Sequence, residues 1–340
     1  MSVTNWLLRK VRGLNQERMK KHIDIIQKNS GKSKFYIYLS IFGAFLARGA
    51  GYTDYFRGDF IHRTKAERDT FVTAKSFYQI LQYLNQENYK VLVDDKIVFN
   101  QFFGDYIHRD YLNLREAGVE EFKAFIRGRE VVFAKTPKGE GGHGVSKIVL
   151  ADYPDKAALY RLLLQRGQLL VEEAIVQSAE VNRLNPCVVN SFRVITLYKD
   201  GKVTLLNNAF RINQDSSEVI GCSNDLYFSL SADGRIDSNV IDDYGNIYTE
   251  HPMTGVRFAD IRVSGVDKAF AMCVEAAKKI PQVRYIGWDV AFSEKGPILV
   301  EGNQYPGYGI VQFYRLKDKH TGHLKEIADV LGDEMKNIKL

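Results

Sequence analysis

The spacing of apolar residues changes character along the chain. Apolar residues recur at helical intervals through 23–26 and 71–84, and an apolar run covers 35–47. From residue 131 onward the apolar runs shorten to strand length and are separated by turns that contain glycine and aspartate. This pattern predicts a mostly helical region over 1–90, followed by an α+β fold with mainly antiparallel sheets.

Two hairpins stand out in the second region. Asp200-Gly201 joins strands predicted over 190–199 and 202–212, and this dipeptide is typical of two-residue turns. The last hairpin pairs 286–292 with 298–301, if residues 293–297 form its loop. The other predicted strands cover 91–93, 131–135, 145–150, 169–171, 226–230 and 235–241, and the other predicted helices cover 122–126, 157–165 and 267–279.

The last hairpin contains a candidate metal site. With a five-residue loop, Asp289 lies opposite Glu301, where opposed Cβ atoms are about 4.5–5.5 Å apart and two carboxylates repel each other. Asn303 follows two residues later and shares their face. Two carboxylates and an amide oxygen are hard ligands, suited to Mg²⁺ that bridges nucleotide phosphates. The alternative is a solvent-facing polar pair at a sheet edge, which the apolar neighbours on both strands disfavour.

Lys135 is followed by a glycine-rich segment. Four glycines between two predicted strands allow backbone N–H groups to approach phosphate oxygens closely. They are Gly139, Gly141, Gly142 and Gly144. A hairpin turn without a ligand explains them about as well. Further along, Glu172 and Glu173 end a predicted strand, where a carboxylate and backbone groups could meet an adenine edge.

Two arginines lie on the first hairpin. Arg193 and Arg211 can each grip a phosphate or carboxylate with two hydrogen bonds, and each can equally form a surface ion pair. With Asp200-Gly201 as the turn, Arg193 faces Asn208 and Arg211 faces Asn190. The two arginines then point to opposite sides of the sheet unless a bulge intervenes.

Taken in order, these motifs resemble the ATP-grasp superfamily, and most closely the sugar-transfer-associated ATP-grasp family found in bacterial polysaccharide gene clusters. The resemblance runs from about Asp95 to Gln312. It is carried by Asp95-Lys96, Phe-Ala-Lys135 with its glycine loop, Val-Glu172-Glu173, Asn190-Ser-Phe-Arg193, Phe-Arg211-Ile, His251-Pro-Met-Thr254-Gly255, Gly287-Trp288-Asp289 and Glu301-Gly-Asn303-Gln-Tyr-Pro306-Gly. The segment Val-Ile-Gly221-Cys-Ser-Asn224-Asp225 departs from the family, which often has paired glycines there.

The resemblance implies a role for each matching residue. The ATP phosphates would be contacted by the glycine loop, Lys96 and Lys135. The adenine would be bordered by Glu172, Glu173 and Ile175, and the ribose bound by Gln177 or Glu180. The γ-phosphate or an acyl phosphate would be held by Arg193 and Arg211. The acceptor substrate would lie near Asn190, His251 and Thr254. The metal ligands would be Asp289, Glu301 and Asn303, for Mg²⁺ or alternatively Mn²⁺.

The same resemblance implies an architecture and a reaction. A helical region over 1–90 would precede a small ATP-grasp lobe over 91–176 and a large lobe over 177–340. The implied enzyme is a ligase: ATP phosphorylates a carboxylate, and an amine then attacks the acyl phosphate to give an amide. The substrates would be an amino acid or amine and a sugar (uronic) acid in capsule or exopolysaccharide synthesis. A kinase on the same scaffold and a non-catalytic nucleotide-binding regulator are the alternatives.

Charge and composition add limits on partners and location. The net charge of +6 arises from residues 1–35, which hold nine lysines and arginines against two acids. We expect a solvated basic face there, with peripheral contact to anionic lipid as the alternative. The run over 35–47 is too short to span a bilayer and predicts a buried or interfacial helix. Three widely spaced cysteines and the lack of a signal-peptide pattern indicate the cytoplasm, and a nucleic-acid partner is disfavoured.

Overall fold

The protein is described by a computed structural model that covers residues 15–139, 144–216 and 224–340. The helices are α1 Gln16–Ser30, α2 Lys34–Arg48, α3 Tyr52–Arg57, α4 Lys65–Arg68, α5 Ala74–Leu84, α6 Val91–Asp94, α7 Lys96–Phe102, α8 Gly104–Ile107, α9 Val119–Ile126, α10 Lys156–Gln165, α11 Ala179–Asn182, α12 Val266–Lys279 and α13 His323–Leu331. The strands are β1 Tyr111–Asn113, β2 Val131–Lys135, β3 Val145–Val149, β4 Leu170–Glu173, β5 Ser191–Lys199, β6 Lys202–Asn213, β7 Asp225–Phe228, β8 Val240–Ile241, β9 Ile247–Tyr248, β10 Tyr285–Ser293 and β11 Gly296–Asn303. Short 3₁₀ helices cover Glu87–Tyr89, Leu150–Asp152, Phe258–Asp260 and Gly332–Asn337.

Contacts divide the chain into two compact units. The first holds the described residues up to Ile80, together with 244–246 and 308–340. The second holds 81–243 and 247–307, and it contains every described residue for which the sequence predicts a functional role. The lobe boundaries predicted at residues 90 and 176 stay a prediction.

The first unit is helical and has an aromatic core. Phe60 packs edge-on against Phe71 at 5.4 Å, and Phe56 packs in the same way against Phe313 at 5.5 Å. The Tyr308 hydroxyl donates to the Asp54 carboxylate at 3.0 Å, which ties the C-terminal segment to α3. None of the described helices combines the length and the apolarity needed to cross a bilayer.

The four-stranded sheet of the second unit has the order β1-β4-β2-β3, and all its pairs are antiparallel. Along β2 the side chains alternate, because successive residues of a strand point to opposite faces. Val132 and Ala134 are buried in one core with Phe122 of α9 and Leu163 of α10. Lys135 therefore points to the other face.

The seven-stranded sheet has the order β11-β10-β5-β6-β7-β8-β9. Helix α12 and this sheet share one core, in which Ala269 and Ala276 lie with Phe192 and Phe210. Trp288 is fully buried, and its indole nitrogen donates to the Thr196 hydroxyl at 2.9 Å. The two sheets and their helices confirm the predicted α+β class with antiparallel sheets.

The strand predicted over 91–93 is wrong, because Val91–Asp94 forms helix α6. Apolar residues at these positions suit either a strand or a helix, and the following cap decides. The Asp95 carboxylate accepts from the backbone N–H groups of Ile97 and Val98 at 3.0 and 3.3 Å, so it caps α7 immediately after α6.

Candidate functional site

A row of charged side chains crosses three neighbouring strands of the seven-stranded sheet. Asp289 on β10 lies directly opposite Glu301 on β11 and directly opposite Arg193 on β5. Asn303 pairs with Gly287, two residues from Asp289, so it lies on the same face. Arg211 on β6 pairs with Ser191, two residues from Arg193, and lies on that face as well.

Two β-bulges bring these residues to one face. In the β10–β11 hairpin, Ser293 pairs with Gly296 across a two-residue turn, and a register shift after Asp289 leaves Val300 unpaired. The predicted five-residue loop is therefore wrong, but the predicted opposition of Asp289 and Glu301 is confirmed.

The β5–β6 hairpin contains the second bulge. Its register shifts between Ile195 and Thr196, so that Leu206 has no partner across the pair. The turn itself forms as predicted, with positive φ angles of 48° at Asp200 and 81° at Gly201. The pairings predicted for the arginines are wrong, since Arg193 lies opposite Ala209 and not Asn208, and Arg211 lies opposite Ser191 and not Asn190.

Arg193 is held at both ends of its guanidinium group. Its Nε and Nη2 donate to the two oxygens of Asp289, the Nη2 contact being 2.7 Å, and its Nη1 donates to the Pro306 carbonyl at 2.9 Å. Gly287 makes this approach feasible. A Cβ atom there would lie 2.9 Å from Arg193 Cδ and 2.8 Å from Pro306 Cα, and both distances are shorter than a carbon contact allows.

Arg211 pairs with a carboxylate that the sequence analysis missed. Asp225 on β7 is buried, and its Oδ2 accepts from Arg211 Nε at 2.6 Å. The Arg211 guanidinium also lies over the Tyr227 ring at 5.7 Å from its centre. Asp225 entered the sequence analysis only as the end of the segment that departs from the family. Asp225 and Tyr227 lie two residues apart on a strand and therefore share one face. This spacing is the signal that could have found Asp225.

The residues at the end of the row fit a divalent cation. The Asn303 amide nitrogen lies 3.2 Å from Asp289 Oδ2 and 3.2 Å from Glu301 Oε1, so one amide bridges both carboxylates. Partial burial and the negative charge of Asp289 raise the pKa of Glu301. A cation would relieve this repulsion, and the same amide carries an oxygen that can act as a ligand. Within 15–139, 144–216 and 224–340, no group of three or more His, Cys, Asp or Glu side chains is arranged to hold a metal.

Lysines and the glycine loop border the same place. The Lys96 ammonium donates to the Gly139 carbonyl at 2.8 Å and lies 3.9 Å from Glu301 Oε2. Lys96, Gly139, Glu301 and Asn303 line a pocket of about 150 Å³, and so does Lys138, which the sequence analysis had not selected.

Two of the four predicted loop glycines can be placed in the structure. Gly144 has a φ of 79°, and a Cβ there would lie 2.2 Å from the Thr136 hydroxyl, so the end of the loop requires glycine. Gly139 contributes its carbonyl to Lys96. Gly141 and Gly142 lie outside the described residues.

Lys135 points at a buried carboxylate. Its ammonium lies 2.5 Å from Glu172 Oε2, while Glu172 Oε1 accepts from Asn100 at 2.7 Å and from Arg109 Nη2 at 2.6 Å. Burial alone would raise the pKa of Glu172, but the charges of Lys135 and Arg109 lower it to about 2. Arg109 also donates to the Leu299 carbonyl of β11 at 2.8 Å, so it links the two sheets. Sequence reasoning missed Arg109, which is 63 positions from its partner.

The residues predicted around the adenine and ribose differ in exposure. Glu173 is exposed and accepts from the Asp110 N–H at 3.1 Å, and Ile175 is half-buried. Glu180 accepts from the backbone N–H of Ser264 at 2.6 Å. Gln177 is buried and accepts from the Asn190 N–H at 2.7 Å. The structure therefore places Gln177 in an internal network and leaves Glu180 nearer to solvent.

Of the three residues predicted near the acceptor, Asn190 and His251 are enclosed by protein and Thr254 is half-buried. Asn190 is fully buried and donates to the Asn185 carbonyl at 3.0 Å. His251 is also fully buried, with Nε2 at 2.7 Å from the Asn213 carbonyl and Nδ1 accepting from the Thr254 N–H at 3.3 Å. Burial lowers the pKa of His251. The contacts shown by all three side chains are internal, and their roles toward a substrate stay predictions.

Two antiparallel sheets, with a pocket that is lined by two lysines and the start of a glycine loop together with Glu301 and Asn303, are typical of ATP-grasp proteins. The chain belongs to the sugar-transfer associated ATP-grasp family, whose model matches residues 77–319. This membership confirms the predicted family and the predicted ATP-grasp fold. No curated protein matches the chain significantly in sequence.

Solved structures of ATP-grasp ligases are similar at low identity. D-alanyl-alanine synthetase A from Vibrio cholerae O1 is 15% identical over 73% of this chain and 65% of its own, with a TM-score of 0.44. The ligase PsnB, in complex with a phosphomimetic variant of its minimal precursor, Mg and ADP, is 14% identical over 73% and 60%, with a TM-score of 0.44. D-cycloserine synthetase DcsG is 12% identical over 76% and 80%, with a TM-score of 0.44. The chain thus spans less than two thirds of the length of the first two enzymes.

Proposed function

We propose that this protein is an ATP- and Mg²⁺-dependent carboxylate–amine ligase that works through an acyl phosphate. The observation that carries the proposal is the row of Glu301, Asp289 and Arg193, with Asn303 and Arg211 on the same face. Phosphoryl transfer to a carboxylate brings several negative charges together. It is accelerated chiefly by cations that are already in place around them.

Each part of the site has a distinct task in this proposal. Asp289, Glu301 and the Asn303 amide hold Mg²⁺, which neutralises charge on the transferred phosphoryl group when it is bound. Lys96 and Lys138 face the phosphates from the glycine-loop side of the pocket. Arg193 and Arg211 hold the acyl phosphate, because a guanidinium group can donate two parallel hydrogen bonds to phosphate oxygens.

Lys135 supplies a further positive charge for the phosphates, from strand β2. Its ammonium is paired with Glu172, which Arg109 and Asn100 also hold, so its place is fixed before nucleotide binds. A fixed cation loses little side-chain freedom when phosphate arrives. Glu173 ends strand β4, which also carries Glu172, and Ile175 follows two residues later. Both border the adenine, and Glu180 lies at the ribose.

For the substrates we infer an amino acid or amine and a sugar (uronic) acid, joined during capsule or exopolysaccharide synthesis in the cytoplasm. The description of the family as associated with sugar transfer supports this substrate class. Asn190, His251 and Thr254 stay assigned to the acceptor side, where His251 is a positioning residue because it is fully buried.

Trapping with hydroxylamine tests the reaction. The enzyme is incubated with ATP, Mg²⁺ and a candidate uronic acid, and hydroxylamine replaces the amine. An acyl phosphate is electrophilic at carbon and gives a hydroxamate, whereas a phosphate ester made by a kinase does not react readily. We expect hydroxamate and ADP in equal amounts by mass spectrometry, and little ADP without the carboxylate.

Matched variants make the result specific to the site. Asp289→Asn should abolish both products. Asp200→Asn makes the same chemical change in the exposed β5–β6 turn and should leave both unchanged. A phosphorylated product that persists without hydroxamate would replace the ligase with the kinase. ATP binding without ADP release, whichever carboxylate and amine are supplied, would favour the regulator.

A further inference from the structure

Helix α2 presents a broad apolar face to solvent. Its large side chains on this side are between 46% and 74% exposed, and they recur at spacings of three and four residues, as members of one helix face do. They are Phe35, Tyr36, Tyr38, Leu39, Phe42 and Leu46. Only Ile37 and Ala44 of α2 are buried. The sequence left a buried or an interfacial helix open here, and this exposure favours the interfacial one.

The exposed face is free of charge. Lys34 and Arg48 are the charged residues of α2, and they stand at its two ends. Contiguous apolar surface of this kind on a folded protein marks a site of interaction with another surface. Since α2 is 15 residues long, it measures about 22 Å and cannot span a bilayer, but it can lie along one.

Positive charge is in excess in the segment of the chain that contains α2. Between Asn15 and Arg48 the chain has seven lysines and arginines and two acids. Both acids are already paired, Glu17 with Lys21 at 3.0 Å and Asp24 with Lys34 at 2.5 Å, and Arg48 is paired with Asp69 at 2.6 Å. Lys32 lies directly beside the face, with its ammonium 5.8 Å from the centre of the Tyr36 ring.

We propose that the α2 face is a docking surface for anionic phospholipid bilayers. The phenylalanine and leucine side chains enter the boundary between headgroups and acyl chains, and the tyrosines lie at the headgroups, where aromatic rings with one polar end are favoured. Lysines at the rim of the face contact lipid phosphates. A second protein would also cover apolar side chains, but the excess of positive charge beside them matches an anionic lipid surface. This surface belongs to the first unit, so the proposal does not depend on the reaction assigned to the second.

Vesicle sedimentation of the full chain tests the proposal. One set of vesicles contains phosphatidylcholine alone, and the other contains roughly 30% phosphatidylglycerol. We expect partitioning onto the anionic vesicles, weakened as salt is raised because screening reduces attraction between charges at the surface. On neutral vesicles binding should be at least about tenfold weaker, since each basic residue near an anionic surface contributes about a fivefold factor.

Substitutions distinguish the contribution of the apolar side chains to vesicle binding from that of the charged side chains. Phe42→Ser with Leu46→Ser should lower partitioning at least about tenfold, because both side chains would otherwise be buried in lipid. Lys32→Glu should lower it on anionic vesicles alone. Ile247→Ser is the matched control, since Ile247 is 53% exposed and lies in the second unit, and it should leave partitioning unchanged. Phe42→Trp should give a blue shift of fluorescence on anionic vesicles larger than that of the wild type.

Three results would overturn the proposal. The first is that wild-type protein, shown to be folded by its thermal unfolding transition, binds neither type of vesicle. The second is equal loss of binding in Ile247→Ser and in the Phe42→Ser, Leu46→Ser double variant. The third is a concentration-dependent mass in light scattering that the double variant abolishes, without vesicle binding, which would make α2 a contact between two copies of this chain.

Discussion

When metal is absent, removing the charge of one or the other carboxylate of the candidate metal site should change the stability of the second unit in opposite directions. Asp289→Asn removes the partner of Arg193, which donates to both oxygens of Asp289. Glu301→Gln removes only the more exposed charge, whose nearest cation is Lys96 at 3.9 Å. We therefore expect Asp289→Asn to destabilise the second unit and Glu301→Gln to leave it unchanged or more stable.

The size of each change in the free energy of unfolding follows from how exposed the charged side chains are. Breaking a fully buried ion pair costs about 3–5 kcal/mol, and because the Arg193 side chain is 27% exposed we expect about 1–3 kcal/mol for Asp289→Asn. Two carboxylates about 5 Å apart repel by ~3 kcal/mol at an effective dielectric constant of about 20. Since the Glu301 side chain is 33% exposed and Lys96 attracts it, the gain from Glu301→Gln should be about 0–1 kcal/mol.

Thermal unfolding in EDTA without nucleotide measures the difference. For a unit of this size, about 2–3 kcal/mol separates the two midpoints by roughly 5–10 °C. Asp200→Asn is the control for loss of a carboxylate and should match the wild type. Adding Mg²⁺ with ADP should raise the midpoint of the wild type through binding to the folded state, and should do so far less in either site variant.

Equal destabilisation by the two substitutions would refute this reasoning. It would mean that Glu301 is stabilised in the folded protein as much as Asp289, which contradicts the raised pKa of Glu301. A midpoint of Glu301→Gln below that of Asp289→Asn would refute it as well. Near wild-type, Mg²⁺-dependent ADP release by either variant would remove that residue from the metal site.

Three further predictions concern the cations around the site. Lys135→Ala should weaken ATP binding in calorimetry and leave adenosine binding little changed, and equal losses would instead indicate a structural role. Lys138→Gln should weaken ATP binding without a change in thermal midpoint, while Lys202→Gln, at an exposed position of β6, should do neither. Gly287→Ala should displace Arg193 and slow ADP release by about 10²-fold, because misplacement by about 1 Å costs that much. Unchanged turnover of Gly287→Ala would show that Arg193 need not hold its observed position.

The hairpin turn and the placement of Asp289, Glu301 and Asn303 on one face could be predicted from the sequence because both depend on short-range patterns. The turn at Asp200-Gly201 has a specific dipeptide, and alternation along a strand places Asn303 beside Glu301 whenever the strand is regular. The strand predicted over 91–93 was wrong because apolar residues alone do not distinguish the two structures. The cap at Asp95 decides in favour of helix.

Contacts between residues that are distant in the sequence could not be predicted from these short-range patterns. Glu172 looks like the polar end of a strand in the sequence, yet it is buried and paired with Arg109 and Lys135. Nothing near Arg109 in the sequence indicates burial, because the carboxylate that makes burial tolerable comes from another strand. Asn190 and His251 show the opposite case, since polar residues chosen as substrate contacts lie fully inside the protein.

The two bulges explain why the arginines could not be placed from the sequence and why they work together in the structure. In a regular β5–β6 ladder that starts at Asp200-Gly201, Arg193 and Arg211 would point to opposite sides. The extra residue Leu206 exchanges the faces of everything beyond it, and Val300 does the same on β11. Each bulge costs a local break in hydrogen bonding, and both lie within the strands that carry the charged row. Convergence of arginines, carboxylates and an amide on one face is what the proposed phosphoryl transfer requires, because it brings several negative charges together.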